Sequence, residues 1–357
     1  MKNSGLTKKV QTVLGPIDPD SLGVTLVHEH LFMDETISFM EPEDPDEKKF
    51  AHEPVQLSNL YRVRLNPFGN LDNLLFNDEE MAIKETMIFK SLGGGTITEV
   101  TPKGPLGRNP EGLVRVARKT GLNIIMGTGY YVAPSHPPEL DAMAEEEITE
   151  ELVRELTVGV EDTGICAGII GEIGCNKPLH EKEKKILRCC AAAQRRTGAA
   201  IYLHPSATSE LVLENVRILK DAGADLGHVI VGHVCMHDFD TPTCHRLMDA
   251  GCFIGIDMFG LEGIHFLPHE KIYMEMNDQK RIKKMMGLIN DGYLDHILVS
   301  QDVATKERLT SYGGFGYGHI LRDIVPVLRN KGLTDEQINT MLEENPKRAL
   351  VFIPVKE

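Results

Sequence analysis

The triplet His28-Glu29-His30 closes a short apolar run, Val24 to His30 (VTLVHEH), and in an extended strand two histidines two residues apart point the same way. Two imidazoles so placed can share one cation. Further residues of ligand type end later apolar runs: Glu172 after AGIIG, His204 after AIYL, His233 after HVIVG and Asp302 after HILVSQ. Neutral imidazole suits zinc and similar divalent metals, while a carboxylate can span two ions and offset their repulsion. The set predicts two divalent ions, zinc first among them. His28, His30 and Asp302 are expected on one ion, His204 and His233 on the other, with Glu172 bridging beside a water-derived hydroxide. An HxH pair alone arises often by chance, whereas six such residues at five strand ends form a constellation. Asp302, on the first ion, is the expected proton shuttle between attacking water and leaving group, with His233 and Tyr131 as alternative helpers.

The other histidines lack this spacing. His228 and His296 begin strands, and His52, His180, His237, His245, His265 and His269 fall in loops or helices, so all read as structural or solvated. Seven cysteines, an odd number without a CxxC pair, read as packing thiols of a reduced, cytoplasmic protein. The opening MKNSGLTKKVQTVLG has basic residues but no following apolar stretch of a secretion signal. Gly93-Gly94-Gly95 precedes a strand rather than a helix, which suits a tight turn and not a phosphate loop.

Ligands at strand ends need a scaffold that brings those ends to one rim. Eight strand-like runs recur along the 357 residues: 24–30, 95–100, 123–127, 167–172, 200–204, 228–233, 252–257 and 296–302. Amphipathic segments alternate with them, at 79–92, 110–120, 147–162, 180–197, 208–222, 241–250, 278–291 and 317–331. Eight of each predicts an α/β fold, a single (β/α)8 TIM barrel over residues 1–357 with the binuclear site at the C-terminal face of the strands. Glycines before several strands, Gly121 and Gly198 among them, read as helix C-caps. A hairpin is expected over about 8–23, at the barrel's bottom, and a long acidic, proline-containing insertion over about 31–77, as a lid or rim. Hydrophobic residues at 41% suit a globular core, and the formal charge of −15 opposes nucleic acid and anionic lipid as partners. No apolar run approaches the ~20 residues of a membrane helix.

The motifs HEH, GEIG, YLHP, VGH and SQD, in that order, resemble the phosphotriesterase family of the amidohydrolase superfamily over nearly the whole chain. The runs KVQTVLGPI, GIIGEIGC, ADLGHVIVGH, DMFG, YGGFGYGHIL and ENPKRAL are similar to its phosphotriesterase-related subgroup from animals. That resemblance implies a homodimeric amide hydrolase acting on a small anionic N-acyl substrate, N-acetyltaurine, and releasing acetate and taurine. It also implies a substrate-lining aromatic at Tyr131. Two departures from the wider family speak against its other chemistries. Glu172 stands where bacterial phosphotriesterases carry a carboxylated lysine, and Asp257-Met258 stands where lactonases place an arginine after the aspartate. Asp257 is counted with the substrate-lining residues. The sulfonate calls for a cation or N–H donors, and Arg308, then Lys306, in the loop after the last strand are the expected partners, with Lys103 and Arg108 as alternatives. The rivals are a lactonase or phosphoesterase on the same metals, or a metal-dependent binding protein.

Overall fold

The computed structural model describes residues 6–267 and 272–355, so His269 lies outside the described residues. Eight parallel strands pair in chain order: β1 (Val24–Glu29), β2 (Gly94–Glu99), β3 (Asn123–Thr128), β4 (Ile169–Gly174), β5 (Ile201–His204), β6 (Val229–Val231), β7 (Phe253–Ile256) and β8 (Ile297–Val299). The last returns to the first, where Asp302 N–H donates to the His28 carbonyl at 3.2 Å and His28 N–H donates to Ser300 Oγ at 3.0 Å. Helices cover the outside: α1 (Glu79–Ser91), α2 (Pro110–Thr120), α3 (Glu145–Thr157), α4 (Glu181–Thr197), α5 (Ser209–Asp221), α6 (Thr241–Asp249), α7 (Asp278–Asn290) and α8 (Val325–Asn330), the last continuing a π-wound turn at Ile320–Ile324. This is the (β/α)8 barrel the alternation predicts.

Strands buried on both faces read as continuous apolar runs, and the barrel shows why. Neighbouring residues divide between two cores: Val27, Ile125, Ile169, Tyr202 and Leu298 fill the interior, while Leu26, Ile124, Ile170, Ile201 and Ile297 pack outward under the helices. Gly121 and Gly198 cap α2 and α4 in the left-handed conformation, at φ 67° and 79°, turning the chain toward the next strand.

Around this frame, Val10–Thr12 and Gly15–Ile17 form an antiparallel hairpin, and Val13 N–H donates to the Ile124 carbonyl at 2.9 Å near the start of β3. The insertion after β1 is folded. Met33–Asp34 pairs with Leu75–Phe76, and helices Pro45–Ala51 and Leu60–Leu65 enclose a small core of Phe50, Val55, Leu60 and Val63. Two features were not anticipated from sequence: a hairpin after β7, Gly263–Leu267 with Ile272–Met276, and helical turns from Asp335 to Leu350. The latter carry Ala349 and Leu350 into the interior core. Among the described residues no helix is long and apolar enough to cross a membrane.

Candidate metal centre

Two irregular steps in the sheet aim the ligands. Between Leu26 and Glu29 β1 advances three residues while β2 advances two, from Ile97 to Glu99; β4 does the same against β5 between Ile170 and Ile173. An extra residue in a strand bends it and re-aims a side chain, and these steps bracket His28 and Glu172. His233 and Asp302, just past β6 and β8, adopt left-handed backbone conformations at φ 56° and 52°. Such residues carry strain of ~1–3 kcal/mol each and persist where surrounding bonds hold them. Here the holders are the Asp257 carboxylate, accepting from His233 N–H at 2.9 and 3.1 Å, and the Asp302–His28 bond that closes the barrel.

The six expected ligands converge. Glu172 divides its carboxylate between two histidine pairs: Oε1 lies 3.4 Å from His30 Nε2 and 3.8 Å from His28 Nε2, and Oε2 lies 2.9 Å from His204 Nδ1 and 3.6 Å from His233 Nε2. Asp302 Oδ1 lies 3.2 Å from His30 Nε2 and 3.4 Å from His28 Nε2. Three groups have ligand atoms within 4.8 Å of one another: His28-His30-Glu172, Glu172-His204-His233 and His28-His233-Asp302. Both His28 nitrogens, His233 Nε2 and Asp302 Oδ1 are buried without a hydrogen-bond partner. Each such atom costs ~1–3 kcal/mol unless something satisfies it, and a divalent cation does so for imidazole nitrogen and carboxylate oxygen together. The donor set fits divalent ions.

A second layer fixes the rings. His233 Nδ1 meets Asp257 Oδ1 at 3.1 Å, and Tyr202 Oη donates to Asp257 Oδ2 at 2.8 Å. Gly232 and Gly255 make room for that pair, since a Cβ on either would approach Asp257 Oδ2 to 3.1 and 3.0 Å. His30 Nδ1 meets Thr101 Oγ1 at 2.9 Å. Partners of this kind set which nitrogen faces a metal. Glu29, the middle residue of HEH, accepts from Ser300 Oγ, Gln301 N–H and Val303 N–H at 2.8, 2.7 and 3.0 Å, clamping the segment that carries Asp302.

The charges follow from these neighbours. Burial opposes ionisation of Glu172 and Asp302, but the surrounding histidines outweigh it and hold both below the usual carboxylate range. Burial disfavours a charged His30, yet the Asp302 and Glu172 carboxylates beside it raise it to about 9. Burial and the adjacent His233 lower His204.

The expected substrate contacts are placed differently. Asp257 is fully buried and orients the His233 ring, which corrects its reading as a substrate-lining residue, since both its oxygens are taken up by His233 and Tyr202. Arg308 is buried and donates from Nη2 to the carbonyls of Phe259 (3.2 Å) and Gln301 (2.5 Å), and Lys306 pairs with Asp72 at 2.6 Å. An anion at either would therefore compete with a protein acceptor already in place. Lys103 pairs with Glu151, and Arg108 binds Glu155 through two bonds of 2.6 and 3.0 Å. Tyr131 is half-buried at the site, its hydroxyl 3.4 Å from both ring nitrogens of His204. His237, read from sequence as structural, instead stands beside the cluster, its ring 6.1 Å from that of His204 and 6.5 Å from that of His233. Burial, then His204 and His233, keep it neutral by lowering it to about 3. The signal was the four-residue spacing His233–His237, a helical rather than a strand period.

The model of the phosphotriesterase family matches residues 8–350. The chain belongs to the phosphotriesterase family. Within it, the chain is 39% identical to the N-acetyltaurine hydrolase of Rattus norvegicus and 41% identical to that of Xenopus tropicalis, each alignment covering 98% of this chain and 99% of the relative. Among solved structures, a resiniferatoxin-binding protein from Rhodobacter sphaeroides superposes with a TM-score of 0.91 at 34% identity, covering 97% of this chain and 96% of the other. The phosphotriesterase homology protein from Escherichia coli, complexed with phosphate in its active site, gives a TM-score of 0.74 at 27% identity, covering 92% and 99%.

Proposed function

We propose that this family member is a two-metal amide hydrolase that cleaves N-acetyltaurine to acetate and taurine. The observation that carries the substrate is the nearly full-length similarity to proteins named for that activity in rat and frog. The observation that supports the chemistry is the division of Glu172 between two histidine pairs. His28, His30 and Asp302 would hold one ion, His204 and His233 the other, and Glu172 would serve both. Two divalent ions, zinc first among the candidates, would supply an activated water and Lewis-acid polarisation of the acyl oxygen.

The chain's own groups do the rest. Asp302 accepts the attacking water's proton and passes it to the amide nitrogen, because an amine leaves readily only when protonated. Its Oδ1 is the buried, unpartnered oxygen nearest both β1 histidines, which suits a group that must first hold and then release a proton. Asp257 keeps His233 in one tautomer through Nδ1, and Tyr131 lines the substrate on the His204 side. The complete ligand set supports turnover over mere binding. A homodimer with one hydrolase barrel per chain completes the reading, and light scattering at twice the chain mass checks it.

The test is an assay of the zinc-loaded protein with N-acetyltaurine, other N-acyl amino acids, lactones and phosphotriesters. Highest kcat/KM on N-acetyltaurine is expected. Faster turnover of a lactone or phosphotriester would move the function to that class, and stoichiometric binding of these compounds without turnover would make the protein a binder.

A further inference from the structure

The four cations named as candidates for the substrate's anionic end each already pair with a protein acceptor, yet an N-acyl taurine still brings a sulfonate into the mouth. We propose that His237 receives it, donating a hydrogen bond from Nε2–H on the His204 side of the cluster. The inference rests on the substrate reading above and supplies the contact that reading lacks.

The geometry comes from the loop after β6. The chain turns there, His237 N–H donates to the His233 carbonyl at 3.1 Å, and residues four apart in such a turn share a face, so the two rings rise on the same side. His237 is not one of the grouped ligands. Its ring stands 6.1 and 6.5 Å from His204 and His233, whereas those two are 4.3 Å apart and His28 and His233 are 4.9 Å apart. Phe239 backs the ring at 5.6 Å. Its Nε2 is buried and has no hydrogen-bond partner. A nitrogen left so, one step out from the ligands, lacks what a substrate would bring.

Distance and charge agree with this placement. The two-carbon spacer of taurine sets sulfur ~4 Å from the amide nitrogen, about the length of one residue, a step of the same order as the 6.1 Å between the His204 and His237 rings. Two divalent ions exceed the charge of Glu172 and Asp302, so the cluster itself attracts an anion. The loop then has to add direction, and one N–H donated to an acceptor-only group adds it, such bonds to ions being roughly twice as strong as those between neutral groups.

The experiment uses the full-length zinc-loaded protein and its His237→Phe and His237→Asn variants. Steady-state kinetics are measured on N-acetyltaurine and on uncharged N-propylacetamide, taurine binding by calorimetry, and metal content by mass spectrometry. In His237→Phe, KM for N-acetyltaurine should rise about tenfold or more with kcat nearly unchanged, a loss typical of a bond to a charged group. N-propylacetamide kinetics and metal content should not move, taurine binding should weaken by the same factor, and His237→Asn, which keeps an N–H, should recover part. Equal losses on both amides, unchanged taurine affinity, or loss of metal would each overturn the role. If the wild type binds taurine but does not cleave N-acetyltaurine, the substrate reading falls, while the taurine titration still decides on His237.

Discussion

At the scale of single residues, the account turns on two carboxylates with different duties. Glu172 reaches both histidine pairs, so Glu172→Gln, which keeps the shape and removes the charge, should lower bound metal from two equivalents toward one or none, read by mass spectrometry. Asp302→Asn should retain most of its metal yet lose kcat by 100-fold or more, since only it is asked to carry the proton. Full turnover in Asp302→Asn would remove the shuttle role. The convergence of the six ligand-type residues was legible in sequence because each is a polar residue ending an apolar run, where burial without a purpose is costly. Asp257 was misread for the same reason: it too ends a run, and only the position of His233 above it shows that its carboxyl faces a ring and not a substrate. Arg308 has a charge and a loop position that suggest an anion, and the two carbonyls that occupy it, Gln301 seven residues back and Phe259 just past β7, are brought to it only by the folded loop.

At the scale of elements, the strands and helices followed from alternating apolar runs and amphipathic segments, and most boundaries fall within two residues of expectation. The bulges in β1 and β4 were not read from the sequence, because the polar ends of both strands were taken in strict alternation; that alternation would have turned His28 outward with Leu26. The hairpin after β7 and the helical C-terminal turns were missed because their faces are completed by other elements, as when Asn345 donates to the Leu294 and Ile297 carbonyls at 2.9 and 2.7 Å. The same logic assigns Arg108. It joins the loop after β2 to Glu155 on α3, both nearly buried, and Arg108→Ala would leave a carboxylate buried and unpaired. Loss of ~3 kcal/mol in urea unfolding is expected, with KM for N-acetyltaurine unchanged. Burial alone would raise Glu155, but Arg108 overrides it and holds the group below its ordinary range. A depressed pKa stabilises the fold above the unfolded value, so the gap between wild type and variant should narrow as pH falls through the acid side of ~4. A gap that widens in acid would contradict the pairing.

At the scale of the whole molecule, the barrel exists to bring strand ends from β1, β4, β5, β6 and β8 to one rim, which places ligands from positions 28 to 302 around Glu172. Its closure between β8 and β1 runs through the ligand residues themselves, with Asp302 N–H on the His28 carbonyl and Glu29 holding the chain on either side of Asp302. Closure and cluster thus share the same residues; the eightfold alternation in the sequence predicted the barrel, and the polar strand ends predicted the cluster. The most direct test of the account is a crystal of the zinc-loaded protein measured at the zinc absorption edge. The account predicts two anomalous peaks, one between Glu172 and the His28-His30-Asp302 side, the other between Glu172 and the His204-His233 side. A single peak, or two peaks neither of which contacts Glu172, would contradict it.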